Sequence, residues 1–216
     1  MRIGARTARG AVRRYASTVA RLARGSRVSV VLLTCCLLAA GGTVIAAGDT
    51  TIADPPAPTP DFALTDHQGR PFAASDLRGH TSLVFFGFTN CMGVCPATMQ
   101  LLRQATRSLG SDAAGLRNVM ISVDGERDTP AAMKAFLEPF GPQFVGLTGA
   151  PADVRKVADG YRAVFFKGMP RPAGGYDVEH TSQVYLVDRT GRLRATFQGA
   201  GSEEIASVTR PVLQEK

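Results

Sequence analysis

The chain has 216 residues, enough for one ordinary core and a tail, and its formal net charge is +7. Eight of its 25 basic residues are arginines within residues 1–27, where no acidic residue occurs, so the remainder carries 17 basic and 18 acidic residues. A near-neutral body lacks the charge that a phosphate backbone requires, and nucleic acid is therefore excluded as the expected partner.

Residues 28–47 form an uncharged apolar run directly after the arginines. About 20 such residues in a helix span about 30 Å, the thickness of a bilayer core. The apolar segment of a signal peptide usually has about 7–15 residues, and this run is longer. A transmembrane anchor is therefore favoured. A cleaved signal segment is the alternative, because small residues at Ala46, Ala47 and Gly48 suit cleavage.

The arginines before the apolar run also predict orientation. By the positive-inside rule, residues 1–27 form a basic cytoplasmic tail and the residues after 47 lie in the periplasm. Residues 48–59 are rich in proline and predict an extended linker that separates the inner membrane from a folded domain at residues 60–216.

Strand and helix patterns alternate within the domain. Strands are predicted at residues 62–64, 71–72, 82–88, 118–124, 144–148, 183–187 and 193–198. Helices are predicted at residues 96–109, 130–137, 150–161 and 202–209, the last ending because Pro211 discourages its continuation. A long loop is expected at residues 167–179. This order indicates an α/β fold with a central mixed sheet flanked by helices.

Two cysteines follow the first buried strand. A helix joins strands 82–88 and 118–124, so these strands should be parallel, with Cys91 and Cys95 at the carboxyl end of a central strand. Open α/β sheets bind their ligands at that edge. Cys95 lies near the start of the helix predicted from Pro96, where free N–H groups and the helix dipole favour a thiolate.

Cys91 and Cys95 allow two interpretations, a redox pair and a site for a soft metal ion. Thioredoxin-type redox pairs use Cys-x-x-Cys, whereas three residues separate these cysteines. A structural zinc site needs four ligands, and copper accepts a smaller mixture of thiolate and imidazole. His67 lies in a turn, and His80 precedes the strand predicted at residues 82–88, at the end opposite the cysteines. Position alone leaves the role of His180 undecided.

Four segments carry a family resemblance: "LVFFGFTNCMGVCPATM", "ISVDGERDTP", "FVGLTGAP" and "EHTSQVYLVDRTGRL". In this order they resemble the SCO/SenC family, membrane-anchored copper proteins with a thioredoxin-like fold that serve cytochrome c oxidase assembly. The resemblance covers residues 59–197. It implies that Cys91, Cys95 and His180 bind copper, as Cu(I) or Cu(II), that the two cysteines can form a redox disulfide, and that Asp124 lies beside the site.

The resemblance further implies a copper chaperone that delivers copper to the CuA centre of cytochrome c oxidase. The CuA subunit is then the expected partner, and other periplasmic copper chaperones are further candidates. Ligand exchange needs no covalent catalysis, so no enzymatic activity is expected. The alternative is a membrane-anchored thiol-disulfide oxidoreductase that keeps the CuA cysteines reduced. A peroxiredoxin-type peroxidase is disfavoured, because Met92 stands where such enzymes have a threonine.

The chain departs from the family pattern at two places. Met92, Gly93 and Val94 replace the usual proline, acid and apolar residue between the cysteines. The missing acid removes a negative charge and is expected to weaken Cu(II) binding more than Cu(I) binding, and Met92 adds a soft thioether. Gly125 replaces the usual proline after Asp124, which predicts a looser loop.

Overall fold

The computed structural model describes residues 48–170 and 175–215. The predictions for the tail at 1–27 and for the anchor or signal segment at 28–47 lie outside these residues. Within the described part of the chain, no helix is both long enough and apolar enough to cross a membrane.

A mixed sheet forms the centre of the fold. The strands are β1 (Asp49–Pro58), β2 (Ala63–Asp66), β3 (Pro71–Ala73), β4 (Thr81–Gly87), β5 (Leu116–Ser122), β6 (Phe144–Thr148), β7 (Phe165–Pro170), β8 (Tyr176–His180), β9 (Val184–Val187) and β10 (Arg192–Gln198). Eight of them form one sheet in the order β1-β10-β9-β4-β5-β6-β2-β3, and β7 pairs with β8 separately. The pair β4–β5 is parallel, as predicted. The pair β5–β6 is also parallel, and the remaining pairs are antiparallel.

Helices cover both faces of this sheet. They are α1 (Val94–Leu109), α2 (Pro130–Leu137), α3 (Pro151–Gly160) and α4 (Ser202–Gln214). Apolar residues of α1, α2 and α4 pack on one face, and those of α3 pack on the other, together with residues of β7 and β8. Every residue of β4 is buried, because alternate side chains enter the two apolar layers. The expected α/β architecture is confirmed.

The linker predicted at residues 48–59 differs from the structure. Asp49–Pro58 is an extended edge strand, β1, which pairs antiparallel with β10 and shifts register between Ile52 and Ala57. Proline is compatible with this position, because an edge strand has only one paired side and the prolines at 55 and 56 fall within the register shift. Proline content indicated an extended chain but could not show that the chain has a pairing partner.

Two further predictions are wrong. Residues 167–179 were expected to form a loop, but their described part belongs mostly to the β7–β8 hairpin. The last helix was expected to end near residue 209, but α4 continues to Gln214 with Pro211 inside it. Val212 beyond that proline is buried against the core, and this packing offsets the hydrogen bond that proline cannot donate.

Candidate metal centre

The two cysteines lie where β4 passes into α1. Gly93 is the residue before the first turn of α1, Cys95 belongs to that turn, and Cys91 lies in the preceding loop. The backbone N–H of Cys91 donates to the carbonyl of Phe88 at 3.3 Å, which closes the loop. The N–H of Cys95 donates to Sγ of Cys91 at 3.3 Å. The loop therefore places the Cys91 sulfur over the free N–H groups of the helix.

The two thiols differ in their environments. Burial opposes ionisation of the half-buried Cys91, but hydrogen bonds from the backbone of Cys95, Gly93 and Val94 outweigh it and lower the pKa of Cys91. Burial raises the pKa of Cys95 well above the ordinary range, and the neighbouring Cys91 and Asp128 raise it further. The helix terminus therefore favours a thiolate at Cys91, and the expectation of one at Cys95 is wrong for the metal-free thiols.

His180 is the last residue of β8, and its ring lies against the segment that carries the cysteines, residues 88–95, which we call the cysteine loop. Its Nε2 lies 3.6 Å from Sγ of Cys95. Its Nδ1 donates to the carbonyl of Thr181 at 2.9 Å. A carbonyl only accepts, so this bond assigns the proton to Nδ1 and leaves the Nε2 lone pair free for a metal. The ring also meets Phe88 edge-on, with 5.7 Å between centroids.

The ligand atoms of Cys91, Cys95 and His180 all lie within 4.8 Å of one another. Sulfur and nitrogen bind a metal such as zinc at about 2.0–2.3 Å, so a three-coordinate ion needs ligand atoms roughly 3.5–4 Å apart. Small side-chain movements satisfy that requirement. Two thiolates and one imidazole suit Cu(I), and the imidazole also suits Cu(II). In the described part of the chain, no other group of three or more such residues could hold a metal.

The other two histidines are occupied elsewhere. Nδ1 of His67 accepts from the N–H of Gly146 at 3.2 Å, beside β6. Nε2 of His80 lies 2.7 Å from Nη2 of Arg117, which can only donate. Neither belongs to the group formed by Cys91, Cys95 and His180.

Asp124 is buried but is not part of the ligand group. Its Oδ2 accepts from Nε of Arg127, and its Oδ1 accepts from the hydroxyl of Tyr176 at 2.6 Å. Tyr176 begins β8, the strand that His180 ends. The structure therefore connects Asp124 to the histidine strand rather than directly to the sulfurs.

Gly125 lies where two backbone segments approach each other closely. A Cβ built at Gly125 would lie 2.1 Å from the carbonyl oxygen of Gly149, so the two backbones approach closely there. Glycine is the residue that permits such an approach.

Asp128 is a site residue that the sequence did not reveal. Its buried carboxylate accepts three hydrogen bonds: from the N–H of Thr89 at 2.9 Å, the hydroxyl of Thr89 at 2.6 Å and the hydroxyl of Ser122 at 2.7 Å. Thr89 lies two residues before Cys91, so Asp128 holds the start of the cysteine loop. An acid just before the helix cap Thr129 was the available signal, but its partner lies 39 residues away.

The SCO1/SenC family model matches residues 51–213, beginning within β1. The chain belongs to the SCO1/SenC family.

Relatives within the SCO1/SenC family include mitochondrial and bacterial proteins. The chain is 35% identical over 146 residues to the mitochondrial SCO2 homologue of Bos taurus, covering 67% of this chain and 55% of that protein. It is 33% identical over 137 residues to an SCO2-like protein of Rickettsia prowazekii, covering 63% of this chain and 67% of that protein. The matches thus span only about 55% of the bovine relative's length.

Solved Sco structures share the fold. ScoI of Bradyrhizobium japonicum with copper bound is 39% identical, with a TM-score of 0.66 over 72% of this chain and 99% of that chain. Yeast Sco1 with copper bound is 28% identical, with a TM-score of 0.67 over 74% of this chain and 91% of that chain. These similarities confirm the thioredoxin-like α/β fold that the resemblance implied.

Proposed function

We propose that this SCO1/SenC protein is a copper chaperone that delivers copper to the CuA centre of cytochrome c oxidase during assembly. The observation that carries the proposal is the convergence of Cys91, Cys95 and His180 within 4.8 Å. The copper-bound Sco structures of similar fold support the choice of copper over other soft metals.

The residues suggest how copper enters and leaves. Only thiolates ligate, so Cys95 must lose its proton as copper binds, and affinity falls as the pH decreases. Cys91 is the more accessible sulfur, and it is the ligand that an acceptor can displace first. Oxidation of the pair to a disulfide removes both sulfur ligands and prevents binding. A three-coordinate ion leaves room for an acceptor's ligand, so transfer needs no covalent step on the protein.

Metal titration of the reduced full-length chain under anaerobic conditions tests the site. We expect both Cys91→Ser and His180→Ala to lower copper affinity. Mutation of a residue that only orients a metal ligand typically costs ~10–100-fold in affinity, and the cysteine variant should lose more than this. His67→Gln is the matched histidine control and should bind copper as the wild type does. Wild-type affinity in both site variants would refute the site.

Delivery requires a separate measurement. The copper-loaded chain is mixed with a reduced CuA fragment of cytochrome c oxidase, and the CuA absorption bands are followed. We expect the bands to appear with the wild type and not with chain that was oxidised at Cys91 and Cys95 before copper was offered, because the disulfide form cannot take up the metal. Failure of the wild type to produce them would exclude CuA as the acceptor while leaving copper binding intact.

The proposal includes a position at the inner membrane, with the N-terminus in the cytoplasm and the domain in the periplasm. It rests on the arginines in residues 1–27 and the apolar run at 28–47. An alkaline phosphatase fused after residue 216 should be active, because that enzyme folds only outside the cytoplasm. An inactive but intact fusion would contradict this orientation.

The contrast between the thiols favours one second function, thiol-disulfide reduction. The Cys91 thiolate would attack one sulfur of a substrate disulfide, which breaks the substrate S–S bond, releases its other sulfur as a thiolate that takes up a proton, and forms a mixed disulfide. Cys95 would then lose its proton and displace the substrate thiolate, which leaves a Cys91–Cys95 disulfide and a reduced substrate. This chemistry needs both cysteines but not His180, so a His180→Ala variant that still reduces disulfides would support it.

Alkylation measures the difference in reactivity between the Cys91 and Cys95 thiols. Because its pKa is lowered, Cys91 should react with iodoacetamide with a pH midpoint below that of an ordinary thiol, about 8.5. Cys95, which is buried and has a raised pKa, should remain unmodified in the folded protein over that range. Mass spectrometry of peptides from each pH identifies the modified cysteine, and preferential alkylation of Cys95 would refute the assignment of Cys91 as nucleophile.

A further inference from the structure

His180 is carried by a hairpin that the main sheet does not hold. In the described part of the chain, β7 and β8 pair only with each other and not with the eight-stranded sheet. Backbone ladder bonds therefore do not fix β8 relative to β4 and the cysteine loop. His180 lies four residues before the start of β9, which belongs to the main sheet, so this short connection restrains it from one side. Its placement at the cysteines also depends on side-chain contacts between the hairpin and the rest of the domain.

Several such contacts meet at the start of β8. Tyr176, Asp124 and Arg127 form what we call the Tyr176 cluster. The Tyr176 hydroxyl donates to Oδ1 of Asp124 at 2.6 Å, and Nε of Arg127 donates to the other carboxylate oxygen. Nη1 of Arg127 donates to the carbonyl of Tyr176 at 3.1 Å, and its guanidinium carbon lies 3.8 Å from the centroid of the Tyr176 ring. The hydroxyl, ring and backbone of Tyr176 are thus all held.

The two partners of Tyr176 belong to the central part of the domain. Asp124 and Arg127 lie in the turn that follows β5, where the N–H of Asp124 donates to the hydroxyl of Ser122 at 3.0 Å. Asp124 is only 3% exposed, so its hydrogen bonds are shielded from water. Charge-assisted bonds of this kind are short and about twice as strong as neutral ones.

The geometry of β8 links this cluster to the metal ligands. Side chains of a strand alternate between its faces, so Tyr176, Val178 and His180 share one face. Val178 is buried in the apolar layer that also contains Phe88 and Cys95. Four residues of a strand span about 13 Å. The strand is therefore held at its start by the Tyr176 cluster, at its middle by Val178, and at its end beside the cysteines.

We propose that Tyr176 and Arg127, acting through Asp124, are positioning residues that hold His180 at the two thiols and so favour the Cu(II) state of the bound metal. The inference rests on the proposed function. Imidazole is the ligand that suits Cu(II), whereas two thiolates alone suit Cu(I). Displacement of His180 should therefore weaken Cu(II) binding much more than Cu(I) binding.

Tyr176→Phe tests the inference, because it removes the hydroxyl and keeps the ring beneath Arg127. In the full-length chain we expect Cu(II) affinity to fall about tenfold, within the range for residues that orient a ligand, and Cu(I) affinity to change less than about threefold. The Cu(II)/Cu(I) potential should then rise by about 59 mV for each tenfold difference. Arg127→Lys should act in the same direction, because lysine keeps the charge but loses the planar fork.

Tyr161→Phe is the matched control. It removes a hydroxyl from a buried tyrosine that packs on Phe86 and Tyr185 rather than on Asp124. It should leave both copper affinities and the potential unchanged. Equal losses of Cu(I) and Cu(II) affinity in Tyr176→Phe would indicate general destabilisation, and unchanged affinities would indicate no effect; either result overturns the inference.

A measurement without copper separates this inference from the proposed function. Nitrogen NMR of the metal-free chain reports the ring of His180 directly. We expect Tyr176→Phe to broaden or shift these signals and Tyr161→Phe to leave them unchanged. If the signals respond but wild-type chain binds no copper, the positioning holds and the copper function fails. If wild-type chain binds copper through His180 and the signals do not respond, the positioning fails and the copper function stands.

Discussion

At the scale of single residues, Gly87 makes the cysteine site possible. It is the last residue of β4, and a Cβ built there would lie 3.0 Å from Sγ of Cys95 and 3.1 Å from Cε2 of Phe85. Such distances are shorter than ordinary van der Waals contact, so any larger side chain must displace its neighbours. The absence of a side chain at Gly87 thus leaves room for the Cys95 sulfur at its observed position.

Gly87→Ala should therefore weaken copper binding. Overpacking a dense core costs about 1–3 kcal/mol, and here part of the strain falls on the proposed ligand Cys95. We expect copper affinity to fall about tenfold, measured by competition with a chromophoric chelator. Gly115→Ala is the control, because a Cβ at Gly115 meets no atom within 4 Å. Equal affinities in both variants would show that Cys95 tolerates the displacement.

The two cysteines show what residue type alone can indicate. Their spacing before a helix predicted a thiolate at Cys95, whereas in the structure the pKa is lowered at Cys91 and raised at Cys95. The loop turns the Cys91 sulfur toward the N–H of Cys95, while Cys95 itself turns into the apolar layer. This choice depends on the dihedral angles of the loop and on contacts made only in the folded domain, such as that of Cys95 with His180, 85 residues away.

At the scale of elements, the turn between β5 and α2 organises the site. Asp128 holds Thr89 of the cysteine loop, and Asp124 holds Tyr176 of β8. Ser122 connects the two acids, because its hydroxyl donates to Asp128 and accepts from the N–H of Asp124. One turn therefore positions both the segment that carries the cysteines and the strand that carries the histidine.

Asp128→Asn should loosen the cysteine loop. The asparagine amide keeps the shape of the carboxylate but loses its charge, and it offers one acceptor oxygen to three donors. The free energy of unfolding should therefore fall by about 1.5–3 kcal/mol. Urea unfolding measures this loss. Asp112→Asn is the control, because Asp112 pairs with Arg210 where both side chains are partly exposed, and such pairs contribute about 0–1 kcal/mol. Equal losses would mean that Asp128 contributes no more than a surface ion pair.

The β7–β8 hairpin shows why an element can be missed. Only Phe165 of β7 is buried, and β7 continues with exposed or half-buried residues through Pro170. Strands with one buried face are recognised by alternating apolar and polar residues, and β7 lacks that alternation. Its extended conformation depends on pairing with β8 and on contacts such as Arg155 over the Phe165 ring.

At the scale of the whole molecule, β1 changes the extent of the folded unit. It lies at one edge of the sheet, beyond β10, and the hydroxyl of Thr59 donates to the carbonyl of Gly191 at 2.8 Å just after it. The proline content of residues 48–59 predicted a linker outside the domain, but most of this segment is part of the domain's sheet.

A chain that starts at Asp61 should be less stable than one that starts at Gly48. The shorter chain loses every β1–β10 ladder bond and exposes β10 as a new edge, which also favours aggregation. Since β1 buries no residue fully, we expect a modest loss of about 1–3 kcal/mol, or roughly 3–10 °C in Tm by calorimetry. Equal Tm values would show that residues 49–58 act only as a spacer.

The sequence by itself determined the local and periodic features. Apolar runs, a Thr-Pro helix start at Thr129 and glycine turns are encoded within a few residues, and they predicted β4, β5, β6 and α2 closely. The four resembling segments led to the family. These signals succeed because propensity, capping and burial patterns act over short stretches of chain.

Tertiary structure alone decided how distant parts meet. Cys95 and His180 are 85 residues apart in sequence, and they meet only in the folded domain, where a hairpin outside the main sheet carries His180 to the cysteines. The pairing of β1, the exposure of Cys91 and the partners of Asp124 and Asp128 have the same origin. Each depends on which surfaces pack together after the elements form, and no short stretch of sequence carries that information.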